Sequence, residues 1–323
     1  MSERCSLNMP ENEAERAHRS VLLDESLRFL GADGGGLFVD ATLGMGGHAE
    51  GILEASSETT VIGIDQDREA LEMAKARLSR FGERVTFVQA NFSEIRKVIK
   101  GEQPGGIIAD LGVSSMQLDS GSRGFSFRFD APLDMRMDAS SDGITAAELL
   151  ATASEKEIAD IIYQYGEERA SRKIARWVVE KREDGQPVET TFELAELVRR
   201  AVRTSPKDKI HPATRTFQAL RIAVNNELGI LEQFISDSVD ILKTSGVLAV
   251  ITFHSLEDRI VKQAFQRLSG KCSCPPRIPQ CVCGAVKRVE ILTKKPVVAT
   301  EAEQIENPRS RSAKLRACRR LEQ

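Results

Sequence analysis

Four short apolar runs in the first 111 residues constrain the fold more than any other feature of the chain. They are Leu37–Ala41, Thr60–Asp65, Val85–Ala90 and Gly106–Leu111. Each is nearly continuously apolar, without polar alternation, which is the pattern of a strand covered on both faces. Helical spacing falls between them. Leu71, Ala74, Lys75 and Leu78 recur after Asp67, and Ile95, Val98 and Ile99 recur after Ser93, the expected N-cap. Strand and helix in alternation predict an α/β fold with a parallel, doubly wound sheet. Strand signals then cease for over a hundred residues. Asp142 to about Val202 reads as amphipathic helices, with starts at Ser154 (followed by Glu157) and Thr191 (followed by Leu194) and a break at Gly185-Gln-Pro187. The sheet pattern resumes with Gly246–Phe253. A capping-box-like helix start, Ser255-Leu-Glu-Asp258, follows it, and Val286–Leu292 reads as a last strand. The economical organisation is one α/β domain interrupted by a helical insertion over residues 118–214.

A chain of 323 residues supports a sizeable core, and its longest apolar stretch, Gly246–Phe253, is far too short for a bilayer-spanning helix. Met1 to Ser20 carries acidic and basic residues with no apolar h-region, so neither a secretory signal nor a membrane span is expected, and the cytoplasm is. Six cysteines are too few for a disulfide scaffold. Charge is near balance, with 45 Lys/Arg against 48 Asp/Glu, but it is unevenly distributed. Arg199–Arg221 holds seven basic residues against the single acid Asp208, and Pro308–Arg320 holds six basic residues and no acid. Either run alone also suits a solvated helix face or a frayed tail. Together they point to a nucleic-acid partner.

Ligands of open α/β sheets bind beyond the carboxyl ends of the strands. The four strand ends here are polar: Asp40-Ala-Thr-Leu-Gly-Met-Gly-Gly-His48, Asp65, Asn91-Phe92 and Asp110. Gly44, Gly46 and Gly47 permit a tight turn and a close backbone approach, and the next helix start offers N–H groups to an anion. Asp65 falls about 20 residues on, where an acid commonly takes ribose hydroxyls. A nucleoside cofactor follows, of two possible kinds. Gly44-Met-Gly-Gly-His-Ala49 satisfies the dinucleotide pattern. Asp40, on the strand, instead suits the cationic amino group of a methionine moiety and would repel a pyrophosphate. An NAD-linked oxidoreductase therefore stands beside a methyltransferase.

Seven ordered blocks carry a resemblance: Asp40–His48, Asp110–Asp119, Arg123–Phe127, Pro132–Met137, His211–Arg221, Phe253–Arg259 and Asn307–Arg316. Across nearly the whole chain they resemble the bacterial small-subunit (16S) ribosomal RNA cytosine-N4 methyltransferase family. The resemblance implies a Rossmann-like class I methyltransferase sheet with an all-α insertion domain. It implies a methyltransferase domain in two parts, residues 1–117 and 215–323, around an RNA-facing insertion at 118–214. It also implies S-adenosylmethionine held by Gly46, Gly47, His48, Asp65, Phe92, Asp110 and Gln117, to which Asp40 is added on its charge. For His48, a role through its backbone N–H alone is the simpler alternative. Phe92 would pack on the adenine. Methylation at N4 of a decoding-region cytidine needs an acceptor for the amine, and Asp110 is the best placed. Ser114 and Ser115 take the place where many amino-group methyltransferases carry an Asp/Asn-Pro-Pro-aromatic turn, which this sequence lacks. They face the substrate in this reading; His211, Arg215 and His254 either face the RNA or fill a structural role, and the insertion, Arg199–Arg221 and the basic tail supply phosphate contacts.

Cys272-Ser-Cys274 and Cys281-Val-Cys283 could close a tetrahedral zinc site, with reduced thiols as the alternative. Rival functions are a methyltransferase for DNA or a small molecule, and a non-catalytic zinc-bearing RNA-binding protein.

Overall fold

A computed structural model describes residues 20–113, 117, 121, 123–140, 142–203, 211–272, 274 and 284–322. It forms two compact units, Met1–Gly112 with Leu231–Gln323, and Val113–Ile230. In chain order the elements are α1 (Leu23–Leu30), β1 (Gly36–Asp40), α2 (Gly47–Ala55), β2 (Thr59–Asp65), α3 (Arg68–Leu78), β3 (Val85–Gln89), α4 (Ile95–Ile99) and β4 (Gly106–Asp110). Helices α5 (Ala146–Thr152), α6 (Glu155–Gly166), α7 (Ser171–Glu183), α8 (Thr191–Ala201), α9 (Ala213–Asn225) and α10 (Glu227–Ile241) follow. The chain closes with β5 (Val247–Thr252), α11 (Ser255–Leu268), β6 (Val289–Ile291), α12 (Glu301–Glu306) and β7 (Lys314–Arg320).

The first unit is built on one seven-stranded sheet in the order β3-β2-β1-β4-β5-β7-β6. Strands β1 to β5 pair in parallel, while β7 runs antiparallel to both β5 and β6. The runs of β4 and β5 are continuous because both faces are buried, whereas β3 at the sheet edge leaves Thr86 and Gln89 exposed. Val39, Ile107, Leu248 and Val250 join one core cluster, and their chain neighbours Phe38, Ile108, Ala249 and Ile251 join the other. Strand order reverses between β1 and β4, so the crevice of a doubly wound sheet opens at their carboxyl ends. Asp40 and Asp110 are the last residues of these strands. The α/β class expected from the sequence is the class observed.

The second unit is all helix among its described elements, packed on its own core of residues such as Ile158, Ile174, Leu194, Phe217 and Leu220. It reaches from Val113 to Ile230, longer than the 118–214 segment expected, because Phe217 and Leu220 of α9 belong to that core. No helix among the described residues is long and apolar enough to cross a membrane.

Three helix starts differ from the sequence reading. His254 caps α11, its Nδ1 accepting the N–H of Glu257, and Glu257 closes the box from N3. The box therefore lies one residue before Ser255-Leu-Glu-Asp258. Thr190 caps α8 with Glu193, one residue before Thr191. Asn91, not Ser93, receives the N–H of Ser93 at 3.0 Å and opens a 3₁₀ turn leading into α4. Ser154 caps α6 with Glu157 as expected.

The larger correction concerns the C-terminus. Lys314–Arg320 is no basic tail but an inner strand, hydrogen-bonded on both sides. Leu315, Ala317 and Cys318 are buried, and Arg316 is only 6% exposed. Arg316 donates to Asp258 of α11 at 2.6 and 3.2 Å, and Lys314 lies 3.8 Å from the same carboxylate. Arg319 meets Glu290, and Arg320 donates to the carbonyls of Asp240 and Leu242. Four of the six basic residues are thus committed within the protein. The charge pattern disguised a strand because its cations are neutralised by acids distant in sequence.

Candidate active site at the strand ends

Three carboxylates gather beyond β1, β2 and β4. Asp40 is buried at 1% exposure. Its Oδ1 accepts the N–H of Thr42 at 3.2 Å, while Oδ2 is buried with no partner. Burial raises its pKa to about 7, opposed by the N–H groups of Thr42 and Ala49 and helped by the charge of Asp65. Asp110 receives no hydrogen bond at its buried Oδ1. Burial first, then the charges of Asp40 and Glu257, hold its pKa well above the usual carboxylate range. The main chain of Asp110 is pinned by its N–H to Thr42 Oγ at 2.6 Å.

Asp65 has a local task the sequence did not reveal. Its Oδ2 accepts the N–H of Gly44 at 2.7 Å and its Oδ1 that of Asp67 at 2.8 Å, so it ties the glycine turn to the end of β2. Burial raises its pKa to about 6 against the N–H groups of Asp67, Gly44 and Gln66.

The glycines answer first to the protein's own packing. Gly46 has φ +81°, and a Cβ there would press on Leu78 at 3.0 Å. A Cβ on Gly47 would collide with the hydroxyl of Ser20. The close approach required at Gly46 and Gly47 is therefore made by Leu78 and Ser20, while Gly44, at φ +51°, supplies the bend.

His48 uses its side chain as well as its main chain. The ring is buried, and Nε2 donates to the Val21 carbonyl at 3.1 Å, which fixes the tautomer and leaves the Nδ1 lone pair 3.9 Å from Asp110 Oδ2. Burial lowers its pKa to about 4, opposed by that carbonyl and assisted by the charge of Arg77. A neutral imidazole acceptor thus faces a carboxyl group.

Phe92, half-buried, meets Phe234 edge-on with ring centroids 5.0 Å apart. His254 lies just beyond β5, with its ring given over to capping α11. Gln117 is buried and belongs to the helical unit, as do His211 and Arg215. His211 is exposed, with its ring 4.6 Å from that of Phe127, and Arg215 is 3.8 Å from Glu168. Ser114 and Ser115 lie outside the described residues. So do Cys281 and Cys283; Cys272 is exposed and Cys274 half-buried. Among the described residues no cluster of three potential metal ligands occurs.

Sequence reasoning missed Thr42 and Glu257. Thr42 left no signal beyond its place between Asp40 and Gly44. Glu257 was legible in principle as the N3 partner of a capping box, had the box been read from His254.

The assembled acids define the chemistry available. Buried carboxyl oxygens without donors, Asp40 Oδ2 and Asp110 Oδ1, suit a cation or N–H donors and disfavour a phosphate. Similarity to known proteins extends over nearly the whole chain. The family model described as the MraW methylase family matches residues 15–321. Ribosomal RNA small subunit methyltransferase H of Geobacter sulfurreducens is 51% identical over 310 residues, covering 94% of this chain and 99% of that protein. The protein of the same name from Geotalea uraniireducens is 50% identical over 309 residues, covering 94% of this chain and 98% of its own. Its counterpart from Clostridium botulinum (strain Kyoto) is 49% identical over 311 residues, covering 95% and 100%.

Proposed function

The chain belongs to the MraW methylase family, and from that premise we propose that it transfers a methyl group from S-adenosylmethionine to N4 of a decoding-region cytidine in 16S ribosomal RNA. The observation that carries this reading is the pair of unpartnered carboxyl oxygens on Asp40 and Asp110, at the ends of adjacent strands β1 and β4. A site so acidic favours a sulfonium and an ammonium over the pyrophosphate of NAD.

When bound, S-adenosylmethionine supplies an electrophilic methyl group. Asp40 takes the ammonium group, Asp65 the ribose hydroxyls and Phe92 the adenine. Gly46, Gly47 and His48 line the first turn, and Gln117 completes the set of cofactor residues. An exocyclic cytosine amine is a weak nucleophile because its lone pair is shared with the ring. Asp110 therefore orients N4–H for in-line attack and accepts its hydrogen bond as positive charge develops. The base must leave its stack to reach Asp110, as in other enzymes acting on bases. Arg199, Arg200, Arg203 and Arg215, all exposed on the helical unit, meet phosphates with His211 beside them. With ribosomal RNA as substrate, the cytoplasm is where the protein acts.

Mass mapping of methylated small-subunit RNA tests the proposal. Methyl at N4 of a cytidine is expected, and methyl on a ring carbon, a ribose hydroxyl or an adenine refutes it. Asp110→Asn should lower turnover far more than cofactor affinity.

A further inference from the structure

Resting on Asp110 as the acceptor in that reading, we propose that Glu257 is a positioning residue for methyl transfer: its buried carboxylate, held by the cap of α11 just beyond the strand paired with β4, keeps Asp110 able to take the proton of the attacking amine.

Glu257 is 2% exposed, unusual for a side chain at a helix N-terminus. Its Oε2 accepts the N–H of Phe253 at 2.8 Å and of His254 at 3.3 Å, two hydrogen bonds that favour the charged carboxylate. The backbone N–H of Glu257 reaches Nδ1 of His254 at 3.4 Å, and Nε2 of the ring lies 3.0 Å from Glu257 Oε1 without the alignment of a hydrogen bond. Head and tail of the box hold each other, and the carboxylate has no freedom to turn toward solvent. Strand pairing brings this box to Asp110. In the β4–β5 register Asp110 lies opposite Ile251, and the N–H of Leu111 donates to the Ile251 carbonyl at 3.0 Å, two residues before Phe253.

The charged and titratable groups around Asp110 in its unit are few. His48 of α2 lies 3.9 Å from its Oδ2, and the charges of Asp40 at the end of β1 and of Glu257 in α11 act on it. Asp65 acts on Asp40, and Arg77 of α3 acts on His48. His48 is neutral, so among the described residues the groups that act on Asp110 are acids. Two acids close to a third raise its affinity for a proton. During transfer the N4–CH₃ bond forms as the S–CH₃ bond breaks, with that electron pair going to sulfur. N4 becomes cationic and gives its proton to Asp110. Asp110 faces a cation before the step and a neutral thioether after it, so its proton affinity rises as the amine's falls. Glu257 adds a fixed negative charge to that change. The Asp110 side chain is 25% exposed, which lets the proton leave to solvent.

The test reads Asp110 directly. Aspartate labelled with ¹³C at Cγ is titrated by NMR in the ligand-free protein, with Asp110→Asn assigning the resonance. Glu257→Gln keeps the side-chain shape and is an accepted N3 partner of a capping box. It should lower the Asp110 midpoint by roughly one pH unit. Glu257→Asp, which keeps the charge but withdraws it by one methylene, should shift it less. In turnover, the acid limb of the Glu257→Gln kcat profile should move to lower pH with S-adenosylmethionine affinity changed less than about threefold. An unmoved midpoint, or equal shifts in the two variants, overturns the inference and leaves Glu257 a helix cap. A product other than N4-methylcytidine refutes the proposed function while the titration result stands apart.

Discussion

Replacing Arg316 by methionine separates a structural strand from an RNA-binding tail. The Arg316 side chain is 7% exposed and that of its partner Asp258 15%, and two hydrogen bonds of 2.6 and 3.2 Å join them. Removing one partner of a buried pair costs about 3–5 kcal/mol, because the other charge stays behind unpaired. Lys314 Nζ, 3.8 Å from Asp258 Oδ2, remains as a weaker counter-ion. The loss should therefore be smaller, about 2–3 kcal/mol, or on the order of 5 °C in Tm. Methionine preserves the apolar stem between Leu315 and Ala317, so packing changes little. The assay is thermal unfolding of Arg316→Met beside the double variant Arg316→Met/Asp258→Leu. The double variant should recover most of the loss, since no buried charge is left unpaired. Salt dependence of RNA affinity should be unchanged in both. An unaltered Tm, with a log-log salt slope shallower by about 0.9, the value of one phosphate contact, would show that Arg316 serves RNA and that the strand reasoning is wrong.

Asp40, with its pKa raised from 3.8 to about 7, binds a proton on folding. Its contribution is present below pH 4 and is lost as pH rises to 7, by up to about 4 kcal/mol. His48, lowered to about 4, works in the opposite direction between pH 4 and 6.5 but is one group against Asp40 and Asp65 together. The ligand-free protein should thus melt at a higher temperature at pH 5 than at pH 8, and Asp40→Asn should flatten that profile; equal slopes in the two proteins would remove the assignment. Asp65→Ala should weaken S-adenosylmethionine binding by tenfold or more in calorimetry and also lower Tm, because the N–H groups of Gly44 and Asp67 lose their acceptor at about 1–3 kcal/mol each. A lower affinity with an unchanged Tm would show that the turn does not depend on it. Metal-replete protein should carry one zinc per chain on the four thiols of Cys272–Cys283, and elemental analysis giving less than about a tenth of an equivalent would assign them as reduced thiols.

Local sequence determined the parts of this protein that repeat a short-range rule. Val39, Ile64, Ile107 and Val250 lie in unbroken apolar runs, and only strands covered on both faces bury every residue of such a run. The acids ending those runs were legible for the same reason: a strand that must be dry until its end turns polar where it leaves the core. Ser154 with Glu157 announced a helix start through a contact three residues long. What tertiary structure decided depends on partners far apart in the chain. Lys314–Arg320 reads as a solvated tail until Asp258 and Glu290 are brought to it, and only pairing with β5 and β6 makes burial of Arg316 tolerable. Asp65 looked like a ligand residue alone, but the Gly44 N–H it holds comes from another strand end. His48 could not be seen to be neutral before Val21 fixed its tautomer and the core removed its water. The charge state of the acids around Asp110 is likewise a property of their crowding, since desolvation and mutual repulsion exist only after β1, β4 and the start of α11 have been brought together.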